Sequence, residues 1–189
     1  MIVLHGRGDS PEGYTWLPSE LGIPELNYLM LEAPDPYYDG FSWYDLPPDQ
    51  LPGIGRSRKL LAEAFLEIEA EGYKTEDCFL FGFSQGCLMT LEFGARFPQK
   101  LRGYIGISGY CYDVDALLKE AAPEIIHAGD WLITHGTEDD VLPIENTRAQ
   151  MKELMACGFK MDYREYKKTH TLDSKDELPY IREWITSKI

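Results

Sequence analysis

Ser84 lies between two glycines where an apolar run gives way to a helical pattern, and this spacing suits a nucleophilic serine. The run at residues 78–81 predicts a buried strand that stops at Gly82, the first residue of the sequence Gly-Phe-Ser-Gln-Gly. A serine on such a sharp strand-to-helix turn exposes its hydroxyl above the carboxyl edge of a sheet. Glycines two residues to either side remove the side chains that would clash in this crowded turn. An incidental serine in a glycine-rich turn is the alternative, but the position between strand and helix favours the nucleophile.

A serine nucleophile requires a general base, and His170 is the histidine that chain order favours. It lies in the loop after the last predicted strand and before the last predicted helix. The other three histidines, His5, His127 and His135, come earlier, at strand ends or before a strand. Only His170 follows both the serine and a strand end that carries carboxylates, which gives the order serine, acid, histidine. A solvent-exposed loop histidine is the alternative, and this order makes the general base the better interpretation.

The acid that orients the base is expected at residues 138–140, just beyond a predicted strand that ends at Thr134. A carboxylate at this edge would hold the imidazole in the required tautomer and stabilise the imidazolium. Three adjacent acidic residues also suit a solvated, charged turn. Distance from the strand alone does not separate Asp139 from Asp140 as the orienting acid.

Acyl transfer passes through an oxyanion, and two backbone amides are candidates for its hydrogen-bond donors. The first belongs to Gln85, directly after the serine, at the beginning of a helix whose N-terminal N–H groups point at the site. The second belongs to Arg7, in the glycine-containing loop at residues 5–9 that follows the first strand. Its glycines let the backbone approach the site closely. A plain tight turn is the alternative for this loop, and the presence of Ser84 favours the oxyanion donor.

These residues all lie beside short apolar runs that alternate with helical patterns, as in a mainly parallel sheet with helices on both faces. The six predicted strands are residues 2–4, 28–32, 78–81, 103–107, 131–134 and 161–166. Apolar stripes at the helical period predict helices around residues 60–68, 151–155 and 178–185, the last capped by Asp173 or Ser174. Since no linker or repeat is evident, we predict a single α/β domain over residues 1–189, built as a three-layer sandwich.

Residues 33–55 are predicted to be a long loop. This segment contains five prolines and a cluster of aromatic residues. Loops of this length in compact domains are functional or disordered, and the aromatic content argues against disorder. We predict an apolar acyl groove lined by Tyr37, Tyr38, Phe41 and Trp43. The alternative is that the loop packs on itself.

The composition limits the classes of partner. The formal net charge is −14, from 32 acidic and 18 basic residues, which disfavours nucleic acid and anionic membrane surfaces because the field repels them. The first residues leave no room for a signal peptide, and no apolar run is long enough to span a membrane.

The cysteines form no CxxC pair, so we expect buried thiols in a reducing, cytoplasmic compartment, with no disulfide or metal site. They are Cys78, Cys87, Cys111 and Cys157.

Four segments, in order along nearly the whole chain, resemble the phospholipase/carboxylesterase family of α/β-hydrolases, which includes the acyl-protein thioesterases. They are LHGRGDS at residues 4–10, GFSQG at 82–86, HGTEDDVLP at 135–143 and the loop around His170. Residues 41–46 (FSWYDL) are similar to the substrate-loop segment of the family, and residues 107–110 (ISGY) to its strand-end Ser-Gly.

The resemblance implies an esterase or thioesterase that uses a Ser-His-Asp triad without a metal ion or an organic cofactor. It also implies which acid is used, because the family pattern His-Gly-x-x-Asp ends on Asp139. Family members usually have a strand or hairpin before the His-Gly strand, and this chain begins at that strand. The implied sheet therefore lacks the usual N-terminal strands and has about six strands in the order 2-1-3-4-5-6. Arg7 replaces an apolar residue of the family, and its side chain either attracts an anionic leaving group or points to solvent.

The predicted function is hydrolysis of a small-molecule acyl ester or thioester through an acyl-enzyme formed on Ser84. Alternatives on the same fold are a lysophospholipase, a small-peptide hydrolase or an acyltransferase. A non-catalytic binding protein with an aromatic loop is a further alternative, but it predicts a broken triad and all three members are present. Homodimer formation through the aromatic loop is compatible with each of these functions.

Overall fold

The computed structural model describes residues 1–189 and contains a six-stranded sheet in which all neighbouring strands are parallel. The strands of the chain are β1 (Ile2–Leu4), β2 (Leu29–Leu31), β3 (Asp35–Tyr37), β4 (Gly40–Ser42), β5 (Phe79–Phe83), β6 (Gly103–Ile107), β7 (Trp131–Gly136) and β8 (Met161–Tyr166). The sheet order is β2-β1-β5-β6-β7-β8, and β3 and β4 form a separate antiparallel hairpin. Counted within the sheet alone, this is the order 2-1-3-4-5-6, so that prediction is confirmed. Because the strands are parallel, the loops after β1, β5, β7 and β8 lie at one edge.

Helices cover both faces of the sheet. They are α1 (Leu17–Leu21), α2 (Gln50–Ala70), α3 (Gln85–Gly94), α4 (Val114–Glu120), α5 (Pro123–Ala128), α6 (Ile144–Ala156) and α7 (Glu177–Thr186), with short 3-10 helices at Pro11–Tyr14 and Thr75–Asp77. Side chains of α1 and α7 pack on one face and those of α2 to α6 on the other, which confirms the three-layer architecture. None of these helices combines the length and the apolar composition that crossing a membrane requires.

The inner strands β1, β5 and β6 are almost entirely apolar because both faces of the sheet are covered there. In β1, Ile2 and Leu4 pack on the face covered by α2 and α3, while Val3 packs on the face covered by α1 and α7. The same alternation in β5 places Leu80 and Phe79 on opposite faces. Short apolar runs therefore predicted the inner strands, whereas the edge strand β8 contains Asp162, Arg164 and Glu165. The predicted bounds of β1, β6 and β8 agree with the structure to the residue.

Residues 33–55 contain regular structure that the sequence pattern did not predict. The hairpin of β3 and β4 lies within this segment, and α2 begins at Gln50. The prediction of a loop was therefore wrong for the hairpin and for residues 50–55. Pro52 lies in the first turn of α2, where its missing N–H removes no intrahelical hydrogen bond. Gly53 packs so closely on Tyr44 that a Cβ added to Gly53 would lie 2.7 Å from the Cα of Tyr44. Here the proline and the glycine suit a helix start instead of breaking the helix.

Two smaller expectations differ from the structure. All four cysteines are free, but Cys157 is exposed, so the expectation of buried thiols is wrong for that residue. The last helix begins at Glu177, three residues later than a cap at Asp173 would predict. Asp173 nevertheless supports the helix start, because its carboxylate accepts hydrogen bonds from the amides of Asp176 and Glu177.

Candidate active site

Ser84 occupies the sharp turn between β5 and α3 in a backbone conformation that residues other than glycine rarely adopt. Its φ is 55° and its ψ is −114°, and its amide donates a hydrogen bond to the carbonyl of Ile107. Such conformations cost free energy and persist only where the surrounding structure imposes them, often at functional sites. The turn holds the hydroxyl at the carboxyl edge of the sheet and at the N-terminus of α3.

The glycines on either side of Ser84 are required by the packing of this turn. A Cβ on Gly82 would overlap the carbonyl of Gly86, and a Cβ on Gly86 would overlap the carbonyl of Leu4 in β1. Both clashes involve backbone atoms, which cannot move aside as the end of a flexible side chain can. The Gly-x-Ser-x-Gly spacing therefore allows α3 to begin directly against the sheet.

Replacing Gly86 with Ala is expected to destabilise the protein by about 3 kcal/mol, because the added methyl group overlaps the backbone of β1. Gly55→Ala in α2 is the matched control, since no atom lies within 4 Å of its added Cβ. Alanine is preferred to glycine within a helix by about 1 kcal/mol, so the control variant should be slightly more stable than the wild type. Urea unfolding measures both changes, and equal stability of the two variants would contradict the packing explanation.

His170 lies beside Ser84, although 86 residues separate them along the chain. Its Nε2 is 2.9 Å from Oγ of Ser84, and its Nδ1 is 2.8 Å from Oδ2 of Asp139. The imidazole also packs on Phe83, with ring centroids 5.1 Å apart. A carboxylate on Nδ1 requires the ring hydrogen to be on that nitrogen, which leaves Nε2 able to accept the hydroxyl hydrogen of Ser84.

The acid that contacts His170 is Asp139 and not its neighbour. Asp139 is buried, and its Oδ1 accepts hydrogen bonds from the amides of Val141 at 3.1 Å and Leu142 at 2.8 Å. Asp140 is exposed to solvent. The two amides fix the orientation of the Asp139 carboxylate, so that its Oδ2 faces His170.

A buried ion pair fixes the loop that carries His170. The side chains of Lys168 and Glu177 are 3% and 0% exposed, and Nζ of Lys168 is 2.8 Å from Oε2 of Glu177. The same ammonium donates to the carbonyl of Thr171, directly after the histidine, and the Lys168 carbonyl accepts the amide of Glu138. Burial lowers the pKa of Lys168, and the carboxylate of Glu177 opposes this change. The pair therefore joins the histidine loop to α7 and, through the backbone, to the loop of the acid.

Two backbone amides at Ser84 have no acceptor within the protein. The amide of Arg7 makes no hydrogen bond, and Gln85 is the first residue of α3, so its amide has no intrahelical partner. Gly6 brings the loop after β1 alongside the serine, because a Cβ on Gly6 would lie 3.4 Å from Cβ of Ser84. The arrangement can offer N–H donors to an oxygen that lies next to the serine hydroxyl.

The side chains of Gln85 and His5 anchor the segment that follows β4. Oε1 of Gln85 accepts the amide of Trp43 at 2.9 Å, and the indole of Trp43 donates to the carbonyl of His5. Nδ1 of His5 donates to the carbonyl of Gly6, while Nε2 accepts the amide of Ala33. This arrangement requires a neutral ring, and burial accordingly lowers the pKa of His5 below its usual value.

The four aromatic residues predicted to line an acyl groove lie in different environments. Trp43 is 0% exposed beside His5, so its side chain offers no surface to a substrate and the prediction is wrong for this residue. Phe41 is half-buried against the core. Tyr37 is half-buried and Tyr38 is 90% exposed, with their rings edge to face at 4.6 Å. A role in substrate binding stays a prediction for Tyr37, Tyr38 and Phe41.

A sequence profile of the Phospholipase/Carboxylesterase family matches residues 1–189. The chain belongs to this family. The match covers every segment that carried the resemblance in the sequence, from the loop after β1 to the loop of His170.

Named relatives of this family member are esterases and thioesterases. Acyl-protein thioesterase 1 of Schizosaccharomyces pombe is 29% identical over 171 residues, which cover 82% of this chain and 75% of the yeast protein. Carboxylesterase SOBER1 of Arabidopsis thaliana is 26% identical over an alignment that covers 100% of this chain and 90% of the plant protein. The crystal structure of SOBER1 matches with a TM-score of 0.87 over 99% of this chain and 97% of that chain. A Bacillus cereus carboxylesterase, 14% identical, has the same fold with a TM-score of 0.84 over 100% and 87% of the two chains. The α/β-hydrolase fold is thus confirmed.

Several residues of the site were not predicted from the sequence. Lys168 and Glu177 are nine residues apart and resemble ordinary surface charges, so only their burial reveals the ion pair. His135 is buried with its Nε2 3.4 Å from Oδ2 of Asp139 and 2.8 Å from the carbonyl of Leu142. Its position four residues before the acid was the only available signal. Burial lowers the pKa of His135, which favours the neutral ring.

Proposed function

We propose that this protein is a serine esterase or thioesterase in which Ser84, His170 and Asp139 form the catalytic triad. The observation that carries the proposal is the position of one imidazole, 2.9 Å from the Ser84 hydroxyl and 2.8 Å from the Asp139 carboxylate. The serine is held in a strained turn at the edge of the sheet, where a substrate can reach it. Asp139, the carboxylate partner of the imidazole, is buried, as a group that orients the base through the whole cycle should be.

In the acylation step, Oγ of Ser84 attacks the carbonyl carbon of the substrate while Nε2 of His170 takes the hydroxyl proton. Asp139 stabilises the imidazolium that forms. Collapse of the tetrahedral intermediate breaks the bond from the acyl carbon to the leaving oxygen or sulfur, and the imidazolium protonates the leaving group. A water molecule then attacks the acyl-enzyme with His170 as base again, which releases the carboxylic acid and restores Ser84.

The oxyanion of each tetrahedral intermediate accepts hydrogen bonds from the amides of Arg7 and Gln85. Both amides lack a protein acceptor, so they need not break another hydrogen bond when the negative charge develops. The N-terminus of α3 adds the positive end of its dipole. The side chain of Gln85 is bound to the segment after β4, which leaves its backbone amide for this role.

The names of the relatives support an acyl ester or thioester as the substrate, and we propose a small-molecule one. Of the four aromatic residues predicted to line the groove, Tyr37, Tyr38 and Phe41 retain exposed surface to contact it. The mechanism requires no metal ion or organic cofactor, because the serine, the base and the oxyanion donors are all supplied by the chain. We also propose that the chain forms a single catalytic domain and that it acts in the cytoplasm.

Labelling with a fluorophosphonate tests the proposal directly, because the reagent forms a bond only with an activated serine. One adduct per chain is expected, on the peptide that contains Ser84. Hydrolysis of p-nitrophenyl esters from acetyl to palmitoyl, an acyl thioester, an anilide and a lysophospholipid would then define the substrate class. Absence of both labelling and hydrolysis would contradict an enzymatic function and favour a binding protein. Preference for the anilide would instead indicate an amidase, and preference for the lysophospholipid would indicate a lysophospholipase.

A further inference from the structure

Arg7 is a cation without an anionic partner at the edge of the proposed active site. Six of the eight arginines in the chain form ion pairs with carboxylates, and Arg7 and Arg182 do not. The Nε of Arg7 is buried and makes no hydrogen bond. In a protein with 32 acidic and 18 basic residues, an arginine that pairs with none of the acids requires an explanation. Leaving a buried guanidinium N–H unpaired costs free energy that a ligand could recover.

Contacts with the β3–β4 hairpin hold the Arg7 side chain in place. Its guanidinium carbon lies 4.0 Å from the centre of the Tyr37 ring, in a cation–π arrangement. The backbone that directly follows Arg7 is bound to the hairpin, since Gly8 donates to the carbonyl of Phe41 and Phe41 donates to the carbonyl of Asp9. A ring face orients the guanidinium without neutralising its charge, so its N–H groups stay available for an anion.

Two acidic residues of the loop and hairpin have other partners. Asp35 of the hairpin forms an ion pair with Arg56. Oδ1 of Asp9 accepts the amide of Ser10. No carboxylate forms an ion pair with Arg7, while the net charge of −14 would repel an anionic substrate from most of the surface.

Tyr38 extends this cationic corner with an exposed aromatic ring. It lies in the turn of the hairpin with a φ of 50°, a conformation that favours glycine, and its side chain is 90% exposed. A strained residue that presents a large aromatic side chain to solvent gains nothing in packing, and such strain is common at ligand sites. Its ring meets that of Tyr37 edge to face, so the three side chains are continuous.

We propose that Arg7, Tyr37 and Tyr38 form a subsite that binds an anionic group, a carboxylate or a phosphate, on the ester substrate. The subsite rests on the proposed function, because the residue before Arg7 is Gly6, where an added Cβ would lie 3.4 Å from Cβ of Ser84. The guanidinium presents two parallel N–H donors, which match the two oxygens of a carboxylate or phosphate. The tyrosine rings cover the apolar part of the same substrate.

Matched pairs of esters that differ only in one charge test the subsite. The pair p-acetoxybenzoate and its methyl ester places the charge on the alcohol side, and p-acetoxyphenyl phosphate offers a phosphate there. The pair p-nitrophenyl hemiglutarate and p-nitrophenyl pentanoate places the charge on the acyl side. The measured quantity is the ratio of kcat/KM for the anionic ester to that for its neutral partner. A substitution that changes the turnover of both esters equally leaves this ratio unchanged. A change in the position of the Arg7 amide, which acts on both esters, therefore does not alter the ratio.

The ratio for at least one pair is expected to fall about 10- to 100-fold in Arg7→Leu, because this variant loses the charge-assisted hydrogen bonds to the anion. Arg7→Lys keeps the charge without the paired donors and should restore part of the ratio. Added salt should reduce the difference between the wild-type ratio and the Arg7→Leu ratio, because screening weakens the attraction of the guanidinium while the repulsion by the net charge is common to both proteins. If the wild type hydrolyses the neutral esters but every ratio is the same in Arg7→Leu, the subsite is wrong and the proposed function stands. If no ester is hydrolysed and Ser84 is not labelled, both proposals are wrong.

Discussion

Replacing Ser84 with Ala is expected to lower kcat for ester hydrolysis by about 10⁴- to 10⁶-fold, to a residual rate above that in water. The variant lacks the only hydroxyl that His170 can activate, so no acyl-enzyme can form. The free amides of Arg7 and Gln85 would still stabilise an oxyanion, which accounts for the residual rate. Initial rates with a p-nitrophenyl ester, together with fluorophosphonate labelling, measure both effects in the same preparation.

The loss should occur without loss of structure. Ser84 Oγ has a single hydrogen-bond partner in the protein, His170, and the side chain is partly exposed, so the substitution leaves no deeply buried polar group unpaired. Ser174→Ala is the matched control, since Ser174 is exposed and lies in the same loop as the base without contacting the triad. The control should retain labelling and activity. Substantial hydrolysis by purified Ser84→Ala would show that another residue is the nucleophile.

The fold was predictable from the sequence where packing produces a local pattern. A parallel sheet covered on both faces makes each inner strand a short apolar run, and this is why β1 and β6 were located to the residue. The hairpin of β3 and β4 has no such pattern, because only one side of it packs on the protein and its turn is a strained Tyr38 instead of a glycine. The start of α2 was not predicted because Pro52 and Gly53 lie in its first turns, and these residue types usually indicate a turn.

The candidate site was predictable to the extent that its residues lie at strand ends. Ser84, Asp139 and His170 each follow a strand of one parallel sheet, so topology alone brings them to the same edge. The residues that support the site were not predictable in this way, because Lys168 and Glu177 are identified only by their burial. Trp43 is a second example, since it was predicted to line a substrate groove and its side chain is entirely buried. Sequence spacing predicts where the chain ends a strand, but it does not predict how far a side chain then lies from solvent.

Replacing Asp139 with Asn is expected to lower kcat by about 10⁴-fold, because the substitution would reverse the tautomer of the base. The amides of Val141 and Leu142 both donate to Oδ1, so an asparagine at this position must place its carbonyl oxygen there. Its NH₂ group would then occupy the position of Oδ2 and face Nδ1 of His170. That nitrogen would have to accept, which moves the ring hydrogen to Nε2, where it can no longer take the proton from Ser84.

Asp140→Asn is the matched control for this prediction. The two acids are adjacent and the two substitutions change the charge equally, but Asp140 is exposed and Asp139 is the residue 2.8 Å from His170. The control should therefore keep a kcat close to that of the wild type, while KM for a neutral ester should change little in either variant because the carboxylate does not contact substrate. A loss of similar size in both variants would mean that local charge is responsible, and a loss only in Asp140→Asn would assign the acid to the neighbouring position. Only an effect confined to Asp139 and expressed in kcat agrees with an acid that acts by orienting the imidazole.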